Sequence, residues 1–221
     1  MTNETDNRRP LKSRTTAWAR GLARALGEAR VRPNLISALS VAFAAMGAAL
    51  FLAAGLGEGA GRAIALVLAA LCIQLRLLCN LLDGMVAVEM GLAEPTGPIW
   101  NELPDRLADG LFLVGAGYCA FTGGQDAGGW LGWLAAFLAV LTAYVRELGR
   151  ALGQPADFTG PMAKPHRMAA LTLVALIAAL EPLWGWNGQT LVIGLALIAA
   201  GTALTVWRRT TRLGRALNGR G

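Results

Sequence analysis

Apolar residues along the chain come in long blocks separated by short polar gaps. Six of these blocks approach the roughly 20 residues that an α-helix needs to cross a bilayer. They run over 34–56, 62–86, 101–123, 130–150, 166–184 and 189–208. Pro33 ahead of the first block, and Gly55 and Gly57 behind it, are helix start and stop signals. Before the blocks, Trp18, Leu22, Ala25, Leu26 and Ala29 repeat at helical spacing, with Arg20 and Arg24 on the other side. That pattern predicts an amphipathic helix over 15–29, suited to the membrane interface or to packing on the protein itself. Residues 1–14 are polar and predict a disordered tail. The expected fold class is all-α: a polytopic membrane protein with six transmembrane helices and an N-terminal interfacial amphipathic helix. Its divisions are 1–33 (cytoplasmic tail and interfacial helix), 34–208 (six-helix domain) and 209–221 (basic cytoplasmic tail).

Composition supports a chain solvated by lipid. It is 55% hydrophobic and only 15% charged, whereas a soluble domain carries about a quarter charged residues. The net charge of +6 raises the question of nucleic acid, but the distribution of the basic residues answers it. Arg8, Arg9, Lys12, Arg14, Arg20, Arg24, Arg30 and Arg32 precede the first block; Arg146, Arg150, Lys164 and Arg167 surround the fourth connection. Arg208, Arg209, Arg212, Arg215 and Arg220 end the chain, while the connections at 57–61, 124–129 and 185–188 hold no Lys or Arg. This is the positive-inside pattern. It puts both termini and the second and fourth connections in the cytoplasm, against anionic headgroups and without a nucleic-acid partner. Cys72, Cys79 and Cys119 lie inside apolar blocks and lack the spacing of a zinc or disulfide framework. The first block comes too late and is too long for a signal peptide. Thr96-Gly97-Pro98 and Thr159-Gly160-Pro161 echo one another in the two cytoplasmic connections, by chance or as a shared helix-start signal.

The polar residues that break the blocks carry the candidate chemistry. Asn80, Asp83 and Ala87 share one helix face, bordered by Gly84; Asn101, Asp105 and Asp109 share another at i, i+4, i+8. Both faces sit at the cytoplasmic rim, where their oxygens could converge on a hard divalent cation. Ionisable groups at such depth are costly and mark functional sites. Each also has a plainer role open to it. Asn101 can cap the third helix with Pro104 in its first turn, Asp83 can end the second helix in the headgroup zone, and Asp109 can pair with Arg76, one turn before Asn80.

Taken together, these residues resemble a known family. Asn80-Leu-Leu-Asp83-Gly84-Met-Val-Ala87-Val88, followed by Gly97, Asn101 and Asp105, is similar to the CDP-alcohol phosphatidyltransferase signature Asp-x2-Asp-Gly-x2-Ala-Arg-x8-Gly-x3-Asp-x3-Asp. Every spacing agrees without a gap. Asn80, Val88 and Asn101 depart from it, replacing Asp, Arg and Asp. Pro33-Asn34-Leu35-Ile36-Ser37 resembles the entry to the family's first helix, so the likeness extends over nearly the whole chain. The resemblance implies an integral enzyme of phospholipid synthesis, of bacterial inner-membrane type and homodimeric. It would transfer a phosphatidyl-type group from a CDP-lipid donor to a small polar acceptor and release CMP. It also implies Mg²⁺ or Mn²⁺ held at Asn80, Asp83, Asn101 and Asp105, where the family's acidic positions hold two ions that bridge the diphosphate. Asp105 would be the catalytic base, with Asp83, Gly84, Ala87 and Gly97 around the nucleotide. Asparagine keeps a carbonyl oxygen for a metal while losing the charge; Glu102 and Asp109 could restore some of it, and Arg106 could cover for the arginine missing at Val88.

A second basic group, Arg146, Arg150, Lys164, His166 and Arg167, surrounds the fourth connection on the same side. It suits the phosphate of an acceptor, through charge-assisted bonds and a helix N-terminus; plain positive-inside topology accounts for it equally. Two other functions are weighed against the enzyme. One is a non-catalytic CDP-lipid-binding relative that regulates or scaffolds lipid synthesis. The other is a small transporter, for which Arg76 and Asp109 are the few mid-membrane candidates and no inverted repeat is evident.

Overall fold

A computed structural model describes residues 16–89, 91, 92 and 95–219. Among the described residues there are seven α-helices and no strand. They are α1 (Ala17–Glu28), α2 (Pro33–Leu56), α3 (Gly59–Glu89), α4 (Gly97–Thr122), α5 (Ala127–Ala151), α6 (Lys164–Ala178) and α7 (Gln189–Asn218), with a 3-10 turn at Glu181–Trp184. The expected tail with Arg8, Arg9, Lys12 and Arg14, as well as Arg220, lies outside the described residues.

The six apolar blocks correspond to α2 through α7, with shifted ends. Pro33, Pro98 and Pro165 each fall in a first helical turn, where the missing amide costs nothing. α3 runs to Glu89, so Asp83 sits within the helix and does not end it. α4 begins at Gly97, so Asn101 is not its cap, and Pro104 lies inside the helix, leaving the Trp100 carbonyl without its usual donor. α6 stops at Ala178, because Pro182 and Gly185 (φ 73°) turn the rest of that block into the 3-10 turn. α7 continues to Asn218, which makes Arg209 and Arg212 helix residues where a tail was expected. Of the two Thr-Gly-Pro triplets, the first opens α4 and the second lies in the connection before α6.

Among the described residues four helices, α2, α3, α5 and α7, are long and apolar enough to cross a membrane. α6 has 15 residues, about 22 Å at 1.5 Å per residue. α4 carries Glu102, Asp105, Arg106 and Asp109 in its first half. α2 packs on both α3 and α4, α4 on α5, α5 on α7, and α6 bridges α3 and α7. The outward positions are large and apolar, among them Leu56, Trp130, Phe137 and Trp207. This inverts the surface of a soluble protein and suits helices solvated by lipid. α1 touches α3 through buried Ala19 and Ala23, whereas Trp18 and Leu22 of its expected apolar face are exposed. All three cysteines are free and buried.

Two devices lock the bundle. At the α4–α5 crossing, a Cβ on Gly132 would lie 2.8 Å from the Leu113 carbonyl oxygen, and one on Gly117 would lie 2.8 Å from the Gly132 Cα. Only hydrogen at these positions lets the backbones meet, the usual way for helices to pack in lipid. At the end of the bundle remote from Asp105, Arg62 donates to buried Glu181 at 3.1 Å, and Glu181 also accepts from the Gly188 and Thr190 amides, each at 2.7 Å. The start of α3 is thereby tied to the start of α7.

Gly132→Ala should lower the thermal midpoint of the purified protein in detergent by the equivalent of about 1–3 kcal/mol, since backbone must move to admit the methyl. Gly110→Ala, which meets nothing within 4 Å, should leave the midpoint unchanged or raise it. Equal losses in the two variants would contradict the close crossing.

Candidate functional site

The site lies where α3, α4 and the first turn of α6 converge, with one residue from α2. Helical spacing places Arg76, Asn80 and Asp83 on one side of α3, and Asp105 and Asp109 on one side of α4. Arg76 is fully buried, and a single nitrogen, Nη2, serves three acceptors on α4: Asp105 Oδ1 at 3.0 Å, the Asp105 carbonyl at 3.1 Å and Asp109 Oδ1 at 2.9 Å. Arg167 of α6, also fully buried, donates to the other oxygen, Asp109 Oδ2, at 2.6 Å. Asp109 is therefore a structural carboxylate between two guanidiniums, as the Arg76 pairing suggested.

Lys164 reaches in from the start of α6 and donates to both Asn80 Oδ1 and Asp105 Oδ2. Arg106 stands 3.5 Å from the same Asp105 oxygen. Both oxygens of Asp105 are thus met by cations. Asp83 differs. Its Oδ2 accepts from the Ser37 hydroxyl at 2.8 Å and its Oδ1 from the Gly84 amide at 2.6 Å. Among the described residues no cation forms an ion pair with it, although the charges of Asp105 and Lys164 both act on it. Ser37, in the helix-entry motif, is thus the α2 residue that orients Asp83.

Asn80, Asp83 and Asp105 are brought into one buried neighbourhood. Asn101 is exposed on α4, one turn before Asp105. Gly84 and Ala87 are half-buried beside Asp83 on α3, and a Cβ on Gly97 would meet nothing within 4 Å. Val88 is exposed.

The basic group around the fourth connection does not act as one cluster. Lys164 and Arg167 turn into the carboxylate site, His166 is exposed, and Arg150 pairs at the surface with Glu147 at 2.9 Å. Arg146 pairs with Glu102 and, at 2.8 Å, with Glu147; its guanidinium lies 5.3 Å from the centre of the Phe158 ring. Arg146 also lines a cavity of about 340 Å³ with Arg209, Arg212, Asp157 and Thr159. Arg209 is buried and donates to the carbonyls of Thr159 and Thr142 at 2.9 and 2.7 Å. Burial alone would raise the Asp157 carboxyl, but bonds from Thr159 and Arg212 outweigh it and hold the group below its usual range. Arg209 and Arg212 were missed as pocket residues because a basic C-terminal stretch reads as topology. Their i, i+3 spacing, continuing the α7 pattern, was the available signal.

No family model matches the chain, and no curated protein matches it. Its fold is similar to solved structures of phosphatidylinositol phosphate synthase from Mycobacterium tuberculosis. The form with CDP-DAG bound aligns with a TM-score of 0.74 at 21% identity, covering 90% of this chain and 94% of that chain. The complex with manganese and citrate gives 0.73 at 20% identity, covering 88% of each. The apo form gives 0.68 at 20% identity, covering 86% of this chain and 93% of that one.

Asp109→Asn should destabilise the protein by about 3–5 kcal/mol, because two buried guanidiniums lose their counter-charge. Asp83→Asn, which keeps an oxygen for Ser37 and removes a charge held in no ion pair among the described residues, should melt close to the unsubstituted protein. Thermal unfolding in detergent, followed by tryptophan fluorescence, distinguishes them; equal losses would contradict the division between a structural and a free carboxylate.

Proposed function

We propose that this chain transfers a phosphatidyl-type group from a CDP-activated lipid to a small hydroxylated acceptor and releases CMP. One observation carries the proposal: Asp83 and Asp105, spaced as in the CDP-alcohol phosphatidyltransferase signature, share a buried neighbourhood with Lys164. The fold gives it context, since a neighbour of this fold was solved with CDP-DAG bound. The same proposal includes six crossings, both termini and the site in the cytoplasm of a bacterial inner membrane, and a homodimer.

Such chemistry calls for Mg²⁺ or Mn²⁺, and manganese accompanies one neighbour. The donors here fit an ion that arrives with phosphate. Asp83 carries a charge unmatched by any ion pair among the described residues, and magnesium is commonly held by one or two carboxylates plus substrate phosphates. A cage of protein acids alone is not formed, because no three of His, Cys, Asp and Glu cluster among the described residues. Of the expected set Asn80, Asp83, Asn101 and Asp105, Asp83 would anchor the ion, since the Asn80 and Asp105 oxygens already accept from Lys164 and Asn101 is exposed. When bound, the ion offsets charge on the diphosphate and makes CMP a better leaving group.

The chain's own residues do the rest. Arg76 fixes Asp105 through Oδ1, and Oδ2, which accepts from Lys164, would take the acceptor's hydroxyl proton. The acceptor oxygen then bonds to phosphorus as the phosphorus–oxygen bond to CMP breaks. The open space at Gly97 and the small residues Gly84 and Ala87 would leave room for the nucleotide. An apolar groove of about 350 Å³ between α2 and α4, lined by Ala38, Val41, Trp100 and Leu103, suits acyl chains. The cavity with Arg146, Arg209 and Arg212 favours a phosphorylated acceptor over an uncharged one. Within the expected acceptor group, Arg150 and His166 face outward, and Lys164 and Arg167 serve the carboxylates.

A second function has specific support. Asn80, Asn101 and the Lys164–Asp105 pair weaken a metal site, which favours a non-catalytic CDP-lipid-binding relative that regulates or scaffolds lipid synthesis. Purified protein with CDP-diacylglycerol, Mn²⁺ and a panel of acceptors separates the two. The enzyme releases CMP, fastest with a phosphorylated polyol, and Asp105→Asn slows release by about 10²–10⁴-fold. CDP-lipid binding without CMP release from any acceptor would overturn the transferase in favour of the scaffold.

A further inference from the structure

The carboxylate site contains a cation that belongs to the chain. Lys164 is one of only two lysines, against 18 arginines. The remaining cations in and around the site, Arg76, Arg106, Arg146 and Arg167, are all arginine. An ammonium is a compact, strongly hydrated point charge, closer to a metal ion in size and coordination than a planar guanidinium. It donates to one oxygen from α3, Asn80 Oδ1, and one from α4, Asp105 Oδ2. Those are two of the four positions at which the family resemblance implies metal.

Its placement is enforced. Pro165 follows it, Ala163 before it is buried, and Arg167 one turn later is pinned to Asp109 at 2.6 Å. The Met162 amide is held by Thr205 Oγ1 at 3.0 Å. The start of α6 thus presents Lys164 from a backbone fixed on both sides. A helix N-terminus is an unfavourable place for positive charge, and α6 opens with no acidic residue in its first turn. The Asp105 carboxylate and the Asn80 carbonyl compensate that local conflict. A neutral oxygen at position 80 suits a monovalent ammonium, where a divalent ion would favour a carboxylate.

We propose that Lys164 is a built-in cation occupying the α3–α4 bridging position, so that the site takes a single exchangeable divalent ion, anchored on Asp83. The proposal rests on the transferase reading for the identity of that ion, but the lysine's occupancy stands apart from it. Asn80 and Lys164 then form a matched pair: a carboxamide in place of an acid and an ammonium in place of a metal. Asp83 is the one carboxylate of the cluster left without an ion-pair partner among the described residues, and it retains Ser37 to orient it.

Mn²⁺ titration of the full chain in detergent, read by loss of the free-ion EPR signal with CDP-diacylglycerol present, tests this without measuring turnover. The unsubstituted protein should bind one Mn²⁺ per chain, Asp83→Asn none, and the double variant Asn80→Asp, Lys164→Gln two. Two ions in the unsubstituted protein, or the same number in the unsubstituted protein and the double variant, would overturn the proposal. No ion in the unsubstituted protein with one in the double variant would support the lysine's occupancy while removing the metal from the proposed chemistry. Should the double variant fail to fold, amine acylation of the unsubstituted protein, mapped by mass spectrometry, decides. Lys164 should react far more slowly than in denatured protein, with or without Mn²⁺. Acylation of Lys164 that accelerates when Mn²⁺ is added would mean that the metal displaces the ammonium, and would overturn the proposal.

Discussion

The fold depends at its functional end on one buried guanidinium. Arg76 stands fully enclosed on α3, and through a single nitrogen it holds two carboxylates and a carbonyl of α4. Charge in so apolar a setting is tolerable only when paired and hydrogen-bonded, so the two helices are obliged to meet in this register. Asp109 extends the constraint to α6 through Arg167. Direct contacts between α3 and α4 are few, and α2 packs extensively against both. The ionic cluster is therefore what aligns their polar faces. Asp105 is oriented as a by-product, while Asp83 forms no ion pair among the described residues and is positioned from α2 by Ser37.

The two ends of the bundle divide the labour. At the remote end, Arg62 and Glu181 form an isolated buried pair whose bonds all go to the fold. At the site, Asp83 has no ion-pair partner among the described residues, and Arg146, Arg209 and Arg212 line a cavity of about 340 Å³. That difference separates a structural ion pair from a candidate site more clearly than burial does, since both ends are buried.

Much of this was legible in the sequence. Lipid-length apolar blocks gave the helices, and the i, i+4 spacing of Asp105 and Asp109, with Arg76 one turn before Asn80, gave the ionic register. Helix ends were less legible, because Pro104 inside α4 and the run of α7 through Arg209 and Arg212 are decided by tertiary contacts that periodicity does not carry. The basic residues misled most. Positive-inside bias accounts for Arg146, Arg150, Lys164, His166 and Arg167 alike, yet the fold sends Lys164 and Arg167 inward and leaves His166 and Arg150 outside. Within α6 the i, i+3 spacing puts Lys164 and Arg167 on one side and His166 on another, but which side meets the carboxylates is decided by tertiary contacts.

The central claim is that the diphosphate of a CDP-lipid comes to rest beside Asp83, where the polar faces of α3 and α4 meet. Phosphorus-31 NMR of CDP-diacylglycerol bound to the protein, with and without substoichiometric Mn²⁺, measures that proximity directly. The account predicts strong paramagnetic broadening of both diphosphate resonances in the unsubstituted protein and its loss in Asp83→Asn. Broadening that survives Asp83→Asn, or bound lipid whose phosphorus lines Mn²⁺ leaves sharp, would contradict it.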